Sequence, residues 1–359
     1  MKIFKKTLKY TLLVLLIAII AICTIPYSFV ADKQGEDFSS IMYENIYLQS
    51  NNPKVIEVAM LGAHDAFSSS INYSSEVDPA ESGIVANKVV SAFLKGFIIR
   101  SSVAQKSDAT KLLNSGVRYL DVRISYFNDS WYTKHALISG ELKYYLLDIL
   151  DFLSNNKGEF IVFDIQHAYL EEKSYEELFS YIDSVKLDGY SLFDYVNYQS
   201  NMHLDDIHYN DVTSNATKGG VVILAKNSNP SDYEGKFFIY EDSIRSVWHD
   251  KIKDEDMLNG INQEYLTLKN DSNLDRDKFR VNQAQKTSQI NKDGIIQTIF
   301  SWSLLTMAQR FNIVLIENSD FEKWLEVMPI FMVDYSDSNN QEFNEKVIDK
   351  INKYNRELD

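Results

Sequence analysis

Short apolar segments that alternate with segments of helical periodicity are the feature that most constrains how this chain folds. The candidate strands are residues 56–61, 117–124, 160–165, 221–225, 279–283, 313–316 and 330–334. Several of them are almost continuously apolar, which is typical of parallel strands that are covered on both faces. Candidate helices cover residues 101–114, 142–154 and 175–184. This alternation of strands and helices predicts an α/β fold.

The number of strand and helix units favours a particular α/β architecture. Seven or eight units in about 300 residues predict a single, irregular (β/α)8 barrel of the TIM type, with a doubly wound sheet as the alternative. Residues 51–359 contain no Pro-rich or Gly/Ser-rich linker and no tandem repeat, so we expect one barrel domain there. No glycine-rich phosphate loop follows a strand, which gives nucleotide binding at such a turn no support.

The N-terminal segment has a different character. Four lysines in the first nine residues precede residues 11–30, which carry no charged side chain. A helix of that length spans about 30 Å of hydrocarbon, so residues 1–31 are predicted to form a transmembrane helix. The lysines predict that this end is cytoplasmic and that the rest of the chain is exported.

A cleaved signal peptide is the alternative for this segment, and the protein would then be secreted. The apolar run is longer than the usual ~7–15 residues, and residues 29–31 are a poor cleavage site. Residues 32–50 are predicted to be a tether and the entry to the barrel. The single cysteine, Cys23, lies in the apolar run and excludes a disulfide framework or a Cys-rich zinc site.

The charge of the chain excludes one class of partner. The chain has 36 basic and 51 acidic residues, a formal net charge of −15. The first 31 residues contain four lysines and no acid, so the remainder carries 32 basic and 51 acidic residues, a net charge of −19. A nucleic-acid partner, which requires a basic surface, is therefore not expected.

Polar side chains interrupt the apolar segments where strands end. His64 and Asp65 directly follow residues 59–63, and Asp334 ends the last apolar run. Alternation along a strand directs Asp121 and Arg123 to the same side of residues 117–124. Because a parallel barrel carries its catalytic residues at the carboxyl ends of its strands, these side chains are candidates for catalysis. A surface-loop histidine and a buried structural ion pair are the alternatives.

The other histidines divide into two groups. His135 ends a short predicted strand at residues 131–135, and His167 follows the strand that begins at residue 160. His203, His208 and His249 lie in polar segments and are predicted to be exposed to solvent.

Taken in order, these segments resemble the bacterial branch of the phosphatidylinositol-specific phospholipase C X-domain family. Residues 61–66 (LGAHDA) are similar to the family's GTHDS block, and residues 116–123 (GVRYLDVR) to its GxRxxDxR strand. His135 and residues 159–162 (EFIV) resemble the next conserved segments. Residues 221–226 (VVILAK) and 333–335 (VDY) fit its later strands.

The resemblance implies an enzyme that cleaves a phosphatidylinositol-type lipid into diacylglycerol and a 1,2-cyclic inositol phosphate. It implies that His64 is the general base for the inositol 2-hydroxyl and that His135 is the general acid for the leaving oxygen. Asp334 would orient His64, and Asp65 would support proton transfer by His135. Arg123 would stabilise the charge that develops on the phosphoryl oxygens.

The resemblance also implies a substrate site formed by Asp121, Lys226 and Tyr335. Bacterial members bind the inositol ring with Lys and Arg side chains at positions that correspond here to Gln166 or His167, and to Lys226 or Asn227. These substitutions leave the choice of head group open.

Two further features separate this chain from other branches and members of the family. Calcium-dependent relatives have metal ligands at positions that correspond here to Asp65, Arg123 and Gln166. Calcium needs about six to eight oxygen ligands, and a guanidinium at Arg123 replaces the cation, so we predict catalysis without a metal or other cofactor. Ala136 replaces the usual glycine after His135.

The expected partner is a membrane phospholipid, and we expect a monomer. Four residues after the first strand are predicted to touch the membrane, or alternatively to form a buried helix face: Phe93, Phe97, Ile98 and Ile99. Two other functions remain alternatives. One is a catalytically silent lipid-binding or surface protein on the same barrel, and the other is a metal-dependent phosphodiesterase for another glycerophospholipid.

Overall fold

The computed structural model describes residues 2–30, 33, 35–227, 232–287 and 292–358. These ranges contain ten strands: β1 (Met60–Ala63), β2 (Val117–Phe127), β3 (Ser130–His135), β4 (Leu137–Glu141), β5 (Phe160–Tyr169), β6 (Gly220–Ala225), β7 (Phe238–Ile239), β8 (Ile244–Ser246), β9 (Phe279–Gln283) and β10 (Ile330–Val333).

The same ranges contain fifteen α-helices: α1 (Lys2–Thr24), α2 (Ile41–Asn45), α3 (Gly83–Ala86), α4 (Lys88–Phe93), α5 (Lys95–Ser102), α6 (Ala109–Asn114), α7 (Leu142–Asn155), α8 (Tyr175–Ser184), α9 (Tyr209–Val212), α10 (Tyr240–Ser243), α11 (Asp254–Asn270), α12 (Lys292–Ser301), α13 (Leu304–Ile316), α14 (Phe321–Val327) and α15 (Gln341–Arg356).

Eight of the strands form one parallel sheet in the order β7-β6-β5-β2-β1-β10-β9-β8. Strands that follow one another in sequence are added in a single direction around the sheet. In a doubly wound sheet, by contrast, the direction reverses at a switch point. The predicted irregular (β/α)8 barrel is therefore confirmed. In the described part of the chain β7 and β8 are not paired, and one helical turn, α10, joins them, so the barrel is open on that side.

An antiparallel hairpin extends the barrel beyond the edge of β2. β3 pairs with β2 from Ile124 opposite Thr133 to Phe127 opposite Ser130, and β4 pairs back onto β3. The long β2 thus carries the hairpin out of the barrel and returns His135, the last residue of β3, toward the carboxyl ends of the strands.

Several boundaries differ from those predicted. Residues 313–316 are not a strand but the last turn of α13, because a four-residue apolar run looks the same in a buried helix and in a strand. The helix predicted at residues 101–114 is two helices, α5 and α6. A new N-cap divides them, since the Asp108 carboxylate accepts a hydrogen bond from Lys111 N at 2.8 Å.

The predicted helices at residues 142–154 and 175–184 are confirmed as α7 and α8. β1 begins at Met60, four residues later than predicted. The sequence analysis missed β7 and β8, which are only two and three residues long and therefore carry almost no periodic signal.

Helix α1 stands apart from the barrel over most of its length. Residues 6–24 are long and apolar enough to cross a membrane, and only 6% of the apolar window is buried. A cleavable signal sequence near an N-terminus has the same properties, so this observation is compatible with either alternative.

Candidate active site

Strands β1 and β10 bring His64 and Asp334 together. The amide of His64 donates to the carbonyl of Val333 at 3.1 Å, which continues the pairing of β1 with β10 past the end of β1. Asp334 is the next residue, and its Oδ1 accepts a hydrogen bond from His64 Nδ1 at 2.6 Å. The neutral ring of His64 therefore keeps its lone pair on Nε2.

The approach of the strands around His64 requires a glycine in β1. A Cβ atom on Gly62 would lie 3.0 Å from Met332 Cβ in β10 and 3.1 Å from Tyr119 Cδ1 in β2. Because Gly62 has no side chain, β1 fits between its two neighbours and His64 reaches the centre of the barrel mouth.

Asp65 is the central carboxylate of the site. Its backbone has a φ of 44°, in the left-handed region, and its side chain is almost fully buried. Its Oδ2 atom lies 3.3 Å from His64 Nε2 and 3.0 Å from His135 Nδ1, while Oδ1 lies 2.7 Å from Arg123 Nε. One carboxylate thus contacts both histidines and the arginine.

Asp121 and Arg123 point to the same side of β2, as alternation predicted. Arg123 Nη2 lies 3.6 Å from Asp121 Oδ2 and 3.0 Å from His64 Nε2. The register of β2 against β5 shifts between Val122 and Arg123. Asp121 is almost fully buried beneath the arginine, with its Oδ2 3.8 Å from His64 Nε2.

His135 is fixed by helix α5 and by an unusual backbone conformation. Its Nδ1 donates to the carbonyl oxygen of Ser102, the last residue of α5, at 2.8 Å. The next residue, Ala136, has a φ of 56°, a region that glycine adopts without strain. The ring centroids of His64 and His135 are 5.9 Å apart.

The two histidines have opposite proton affinities. Burial by itself lowers the pKa of His64, but the nearby carboxylates of Asp65 and Asp334 outweigh burial and raise it to about 9. Burial lowers the pKa of His135, and the positive charges of Arg123 and His64 lower it further, although Asp65 opposes them.

The charges of the acids and of the arginine support one another. Burial tends to raise the pKa of Asp65, but Arg123, His135 and His64 together hold it below its usual value. The pKa of Arg123 is raised because Asp65 and Asp121 outweigh the cost of burial. At neutral pH the centre of the site is therefore an ion cluster with the guanidinium in its middle.

Four of these groups line a cavity of about 600 Å³ at the barrel mouth, whereas Asp65 and Asp121 are not part of its lining. His64, Arg123, His135 and Asp334 form one wall, and Gln283, Gln285 and Trp248 belong to another part of the lining. Such a volume is within the range of sites that bind small molecules.

The sequence analysis missed several residues of this lining. Lys134 borders the cavity and forms a buried ion pair with Asp78, with Nζ 2.5 Å from Oδ2. Gln283 ends β9, so the rule that selected His64 could also have selected it. Lys134 lacked such a signal, because its partner Asp78 is in a loop far away in sequence.

Comparisons with known proteins show which proteins this chain is similar to. No family model matches the chain. The variant-surface-glycoprotein phospholipase C of Trypanosoma cruzi is 34% identical over 130 residues, which are 33% of this chain and 34% of that protein. Human PI-PLC X domain-containing protein 3 is 30% identical over 126 residues, 33% of this chain and 39% of that protein. These matches, each over about a third of the chain, support a similarity to the PI-PLC X-domain family.

Solved structures of bacterial PI-PLCs share the fold of this chain over most of its length. The enzyme of Staphylococcus aureus superposes with a TM-score of 0.58 at 17% identity, covering 88% of this chain and 97% of the other. The enzyme of Listeria monocytogenes gives a TM-score of 0.55 at 15% identity, covering 88% and 98%. The matches to the two curated X-domain relatives above span little more than a third of their lengths.

None of the three predicted substrate-binding residues borders the cavity, and Asp121 is buried next to Arg123. Lys226 is exposed and its Nζ lies 4.8 Å from the centre of the Tyr240 ring. Tyr335 is fully buried against Leu305 and Ala308, and its hydroxyl donates to the carbonyl oxygen of Asn339 at 3.1 Å. Its backbone φ of 54° follows the end of β10, so its side chain does not continue the alternation of the strand.

Other predicted residues have mixed outcomes. Gln166 and His167 both line the cavity. His203 is exposed as predicted, whereas His208 and His249 are partly buried. Burial lowers the pKa of His249.

The four residues that were predicted to touch the membrane differ in their exposure to solvent. Phe93 is exposed at the end of α4, and Phe97 is partly buried. Ile98 and Ile99 in α5 are buried in a small apolar cluster with Ile71 and Leu137, so for these two the alternative of a buried helix face is correct.

The only three residues in the described ranges that could hold a metal ion together are His64, Asp65 and Asp121, whose ligand atoms lie within 4.8 Å of one another. Arg123 approaches all three, at 3.0, 2.7 and 3.6 Å. A cation among these atoms would lie against the guanidinium, so this donor set does not fit a metal while Arg123 keeps its position.

Proposed function

We propose that this protein is a PI-PLC-like phosphodiesterase that cleaves phosphatidylinositol-type lipid into diacylglycerol and a 1,2-cyclic inositol phosphate. The observation that carries the proposal is the pair of histidines whose ring centroids are 5.9 Å apart in one cavity, with Asp65 in contact with both. Arg123 lies against the first histidine, at the position where a phosphoryl group would bind between base and acid.

Attack by the inositol 2-hydroxyl is intramolecular and has a high effective concentration, so the protein needs to supply only proton transfer and charge stabilisation. His64 Nε2 takes the hydroxyl proton as the O2–P bond forms, and Nδ1 remains hydrogen-bonded to Asp334. His135 gives a proton to the glycerol oxygen as the P–O bond to diacylglycerol breaks. Slower hydrolysis of the cyclic product would use the same groups in reversed roles.

The shifted pKa values of His64 and His135 imply that only a small fraction of the molecules has the protonation state needed for reaction. Reaction requires neutral His64 and protonated His135, although the pKa of His64 is raised to about 9 and the pKa of His135 is lowered. His135 is then a strong acid and His64 a strong base in the small population that reacts. Because the two rings interact, the apparent pKa values belong to the pair and not to either ring alone.

Arg123 stabilises the negative charge that builds on the phosphoryl oxygens. Its guanidinium is held by Asp65 and Asp121, so no reorientation is needed during reaction. Since the same guanidinium contacts every residue of the potential metal site, we propose that catalysis needs no metal ion. The group of three possible ligands nevertheless makes a metal-dependent phosphodiesterase the second candidate to test.

We further propose that the protein is a monomer held in a membrane by α1, with its barrel on the extracytoplasmic side. The apolar length of residues 6–24 supports the anchor, and the lysines before it support the orientation. Cleavage of α1 would instead give a secreted enzyme.

Phosphorus NMR on the full chain in mixed micelles of detergent and phosphatidylinositol, with excess chelator, tests the function. We expect a cyclic inositol phosphate signal that is lost in His64→Ala and in His135→Ala. His203→Ala is the matched control, because this histidine is exposed and outside the cavity lining.

Each other outcome points to an alternative. Turnover only after calcium is added would contradict the role of Arg123 and favour the metal-dependent phosphodiesterase. A folded protein that binds micelles but turns over no phospholipid would favour the catalytically silent lipid-binding protein. Full activity in His64→Ala would contradict the assignment of the base.

A further inference from the structure

The end of helix α1 is bound to the catalytic barrel by a buried arginine. Arg100, in α5, donates from Nη2 to the carbonyl of Ile22 at 2.8 Å and from Nη1 to the carbonyl of Ile25. Carbonyl groups at the end of a helix have no partner within the helix, and a cation there also interacts favourably with the helix dipole. Burial lowers the pKa of Arg100 to about 10, so the side chain remains charged at neutral pH.

A tryptophan on another segment completes this contact. Arg100 Nε donates to the carbonyl of Trp302 at 2.7 Å, and the guanidinium lies 3.9 Å from the centre of the Trp302 ring. Trp302 Nε1 in turn donates to the carbonyl of Tyr27 at 2.8 Å, and its ring packs against Phe29 at 5.6 Å. The chain that leaves α1 is thus bound to the barrel over several residues.

The backbone of α5 is in close contact with the backbone at the end of α1. A Cβ atom on Gly96 in α5 would lie 2.3 Å from the carbonyl carbon of Thr24. Val30 packs onto the apolar cluster of Leu305, Ala308 and Tyr335. Tyr335, which the sequence analysis assigned to the substrate site, therefore belongs to the surface that receives the end of the anchor.

Two segments connect this contact directly to the cavity. Ser101, the residue after Arg100, lines the cavity, and so does Leu304, two residues after Trp302. Neighbouring residues of a helix are separated by about 1.5 Å along its axis. The end of α1 consequently lies beside the wall of the cavity and not at the distal end of a long linker.

Exposed apolar side chains occur on the same segments. Phe300 is 79% exposed two residues before Trp302, and Val89 is 80% exposed on α4, the helix that precedes α5. Tyr27 and Phe29 are exposed beside the end of α1, and Trp248 is exposed while it lines the cavity. Residues 32–359 carry a net charge of −19, so apolar contact and the anchor have to hold the domain on an anionic surface.

We propose that α1 and the barrel form one rigid unit that holds the cavity mouth against the membrane in which α1 is embedded. The enzyme then cleaves lipids of its own membrane in preference to lipids of a neighbouring one. This inference rests on the proposed lipase function and on retention of α1. A domain on a free tether would sample all orientations and reach both membranes, whereas the bound end of α1 fixes one orientation and a high local lipid concentration.

A two-vesicle assay tests the preference. The full chain is reconstituted in phosphatidylcholine vesicles containing fluorescent phosphatidylinositol, and protein-free vesicles contain the same lipid with a second dye. We expect cleavage in the protein's own vesicles to be at least tenfold faster than in the others. Arg100→Ala should lower this ratio severalfold, and Arg100→Lys should lower it less, because a lysine keeps the charge without the planar fork.

The controls separate orientation from folding. Arg245→Ala removes another partly buried arginine, bound to Glu264 and Asp275 away from α1, and should leave the ratio unchanged. In detergent micelles, where orientation to a bilayer does not matter, Arg100→Ala should retain wild-type activity. Equal wild-type rates in the two vesicle populations, an unchanged ratio in Arg100→Ala, or a parallel loss of its activity in micelles would overturn the inference.

A measurement without catalysis keeps the inference separate from the proposed function. A nitroxide at Val89→Cys, in a chain with Cys23→Ser, reports contact with lipid through its accessibility to dissolved oxygen. We expect contact with the bilayer in the otherwise unchanged chain and a loss of contact when Arg100→Ala is added. A nitroxide in water in both chains would overturn the inference, while absence of turnover in micelles would contradict only the proposed function.

Discussion

The immediate neighbours of His64 and His135 shift the pKa values of these two histidines in opposite directions. His64 lies between the carboxylates of Asp334 and Asp65, whereas His135 shares Asp65 with Arg123 and donates to a backbone carbonyl. Burial acts on both rings in the same direction, so the difference in pKa arises from the number of carboxylates close to each ring.

The first prediction concerns pH. We expect the pH profile of kcat/KM to be bell-shaped, because the proposed reaction needs one neutral and one protonated histidine. The acidic limb should lie below the ordinary histidine pKa of 6.5, because the pKa of His135 is lowered. The alkaline limb should lie near pH 9, because the pKa of His64 is raised to about 9. Initial rates in micelles across pH 5 to about 10 would measure both limbs.

Asp334→Asn provides the matched test of that assignment. The carboxylate of Asp334 raises the pKa of His64, so its removal should move the alkaline limb to lower pH and narrow the bell. The rate at the optimum should also fall by about 10²–10⁴-fold, since the base loses its orienting partner. An alkaline limb that stays near pH 9 in Asp334→Asn would assign that limb to another group.

The second prediction concerns Arg123. Arg123→Lys keeps the positive charge but loses the planar fork that reaches His64, Asp65 and Asp121. We expect kcat to fall by about 10²–10³-fold with a smaller change in KM, because in the proposed mechanism the arginine acts mainly on charge that develops in the transition state. Steady-state kinetics would contradict this role if only KM changed.

At the scale of elements, buried polar pairs connect strands to their surroundings. Arg118 in β2 is fully buried and forms a 2.8 Å ion pair with Glu159, the residue before β5. Arg118 also donates to the carbonyls of Phe38 and Ser39, and Glu159 accepts from the amides of α2. The sequence analysis placed Arg118 in a family motif, and in the structure it joins the chain before α2 to the barrel, away from the cavity.

The third prediction compares this pair with an exposed one. Arg118→Ala leaves the buried Glu159 without its counter-charge and should lower the free energy of unfolding by about 3–5 kcal/mol. Lys173→Ala breaks the exposed pair of Lys173 with Glu177 in α8 and should leave the free energy of unfolding nearly unchanged, because solvent screens such a pair. Thermal unfolding of the full chain in detergent would measure both, and similar losses in the two variants would contradict a structural role for Arg118.

At the scale of the whole molecule, charge and hydropathy divide the chain into two parts. The lysines lie at the start of α1, and the acidic excess belongs to the barrel beyond it. This distribution opposes adsorption of the barrel to an anionic membrane by charge alone, so the apolar helix and the exposed aromatic side chains have to supply the attraction.

The fourth prediction concerns topology. In cells that express the chain with an N-terminal tag, we expect external protease to digest the barrel and to leave the tag protected. Replacing the four N-terminal lysines with glutamates should reduce the fraction with this orientation. A product that lacks residues 1–31 by mass spectrometry would instead establish cleavage and a secreted enzyme.

The sequence by itself determined the class of fold and most of the candidate catalytic residues. Alternating strands and helices follow from local periodicity. His64, Arg123 and Asp334 were found because strand ends of a parallel barrel converge at one mouth, and His135 was found because it ends a short predicted strand. Residues 313–316, β7 and β8 were predicted wrongly or missed, since short apolar runs carry too little periodic information.

Only the tertiary structure decided what depends on contacts between distant segments. The different pKa values of the two histidines, the burial of Tyr335 and the ion pair of Lys134 with Asp78 all arise from groups far apart in sequence. The contacts of Arg100 also depend on distant segments, and nothing in the sequence distinguishes this arginine from the other basic residues. Its partners are carbonyl groups of residues 22, 25 and 302, and backbone atoms leave no signature in the order of side chains.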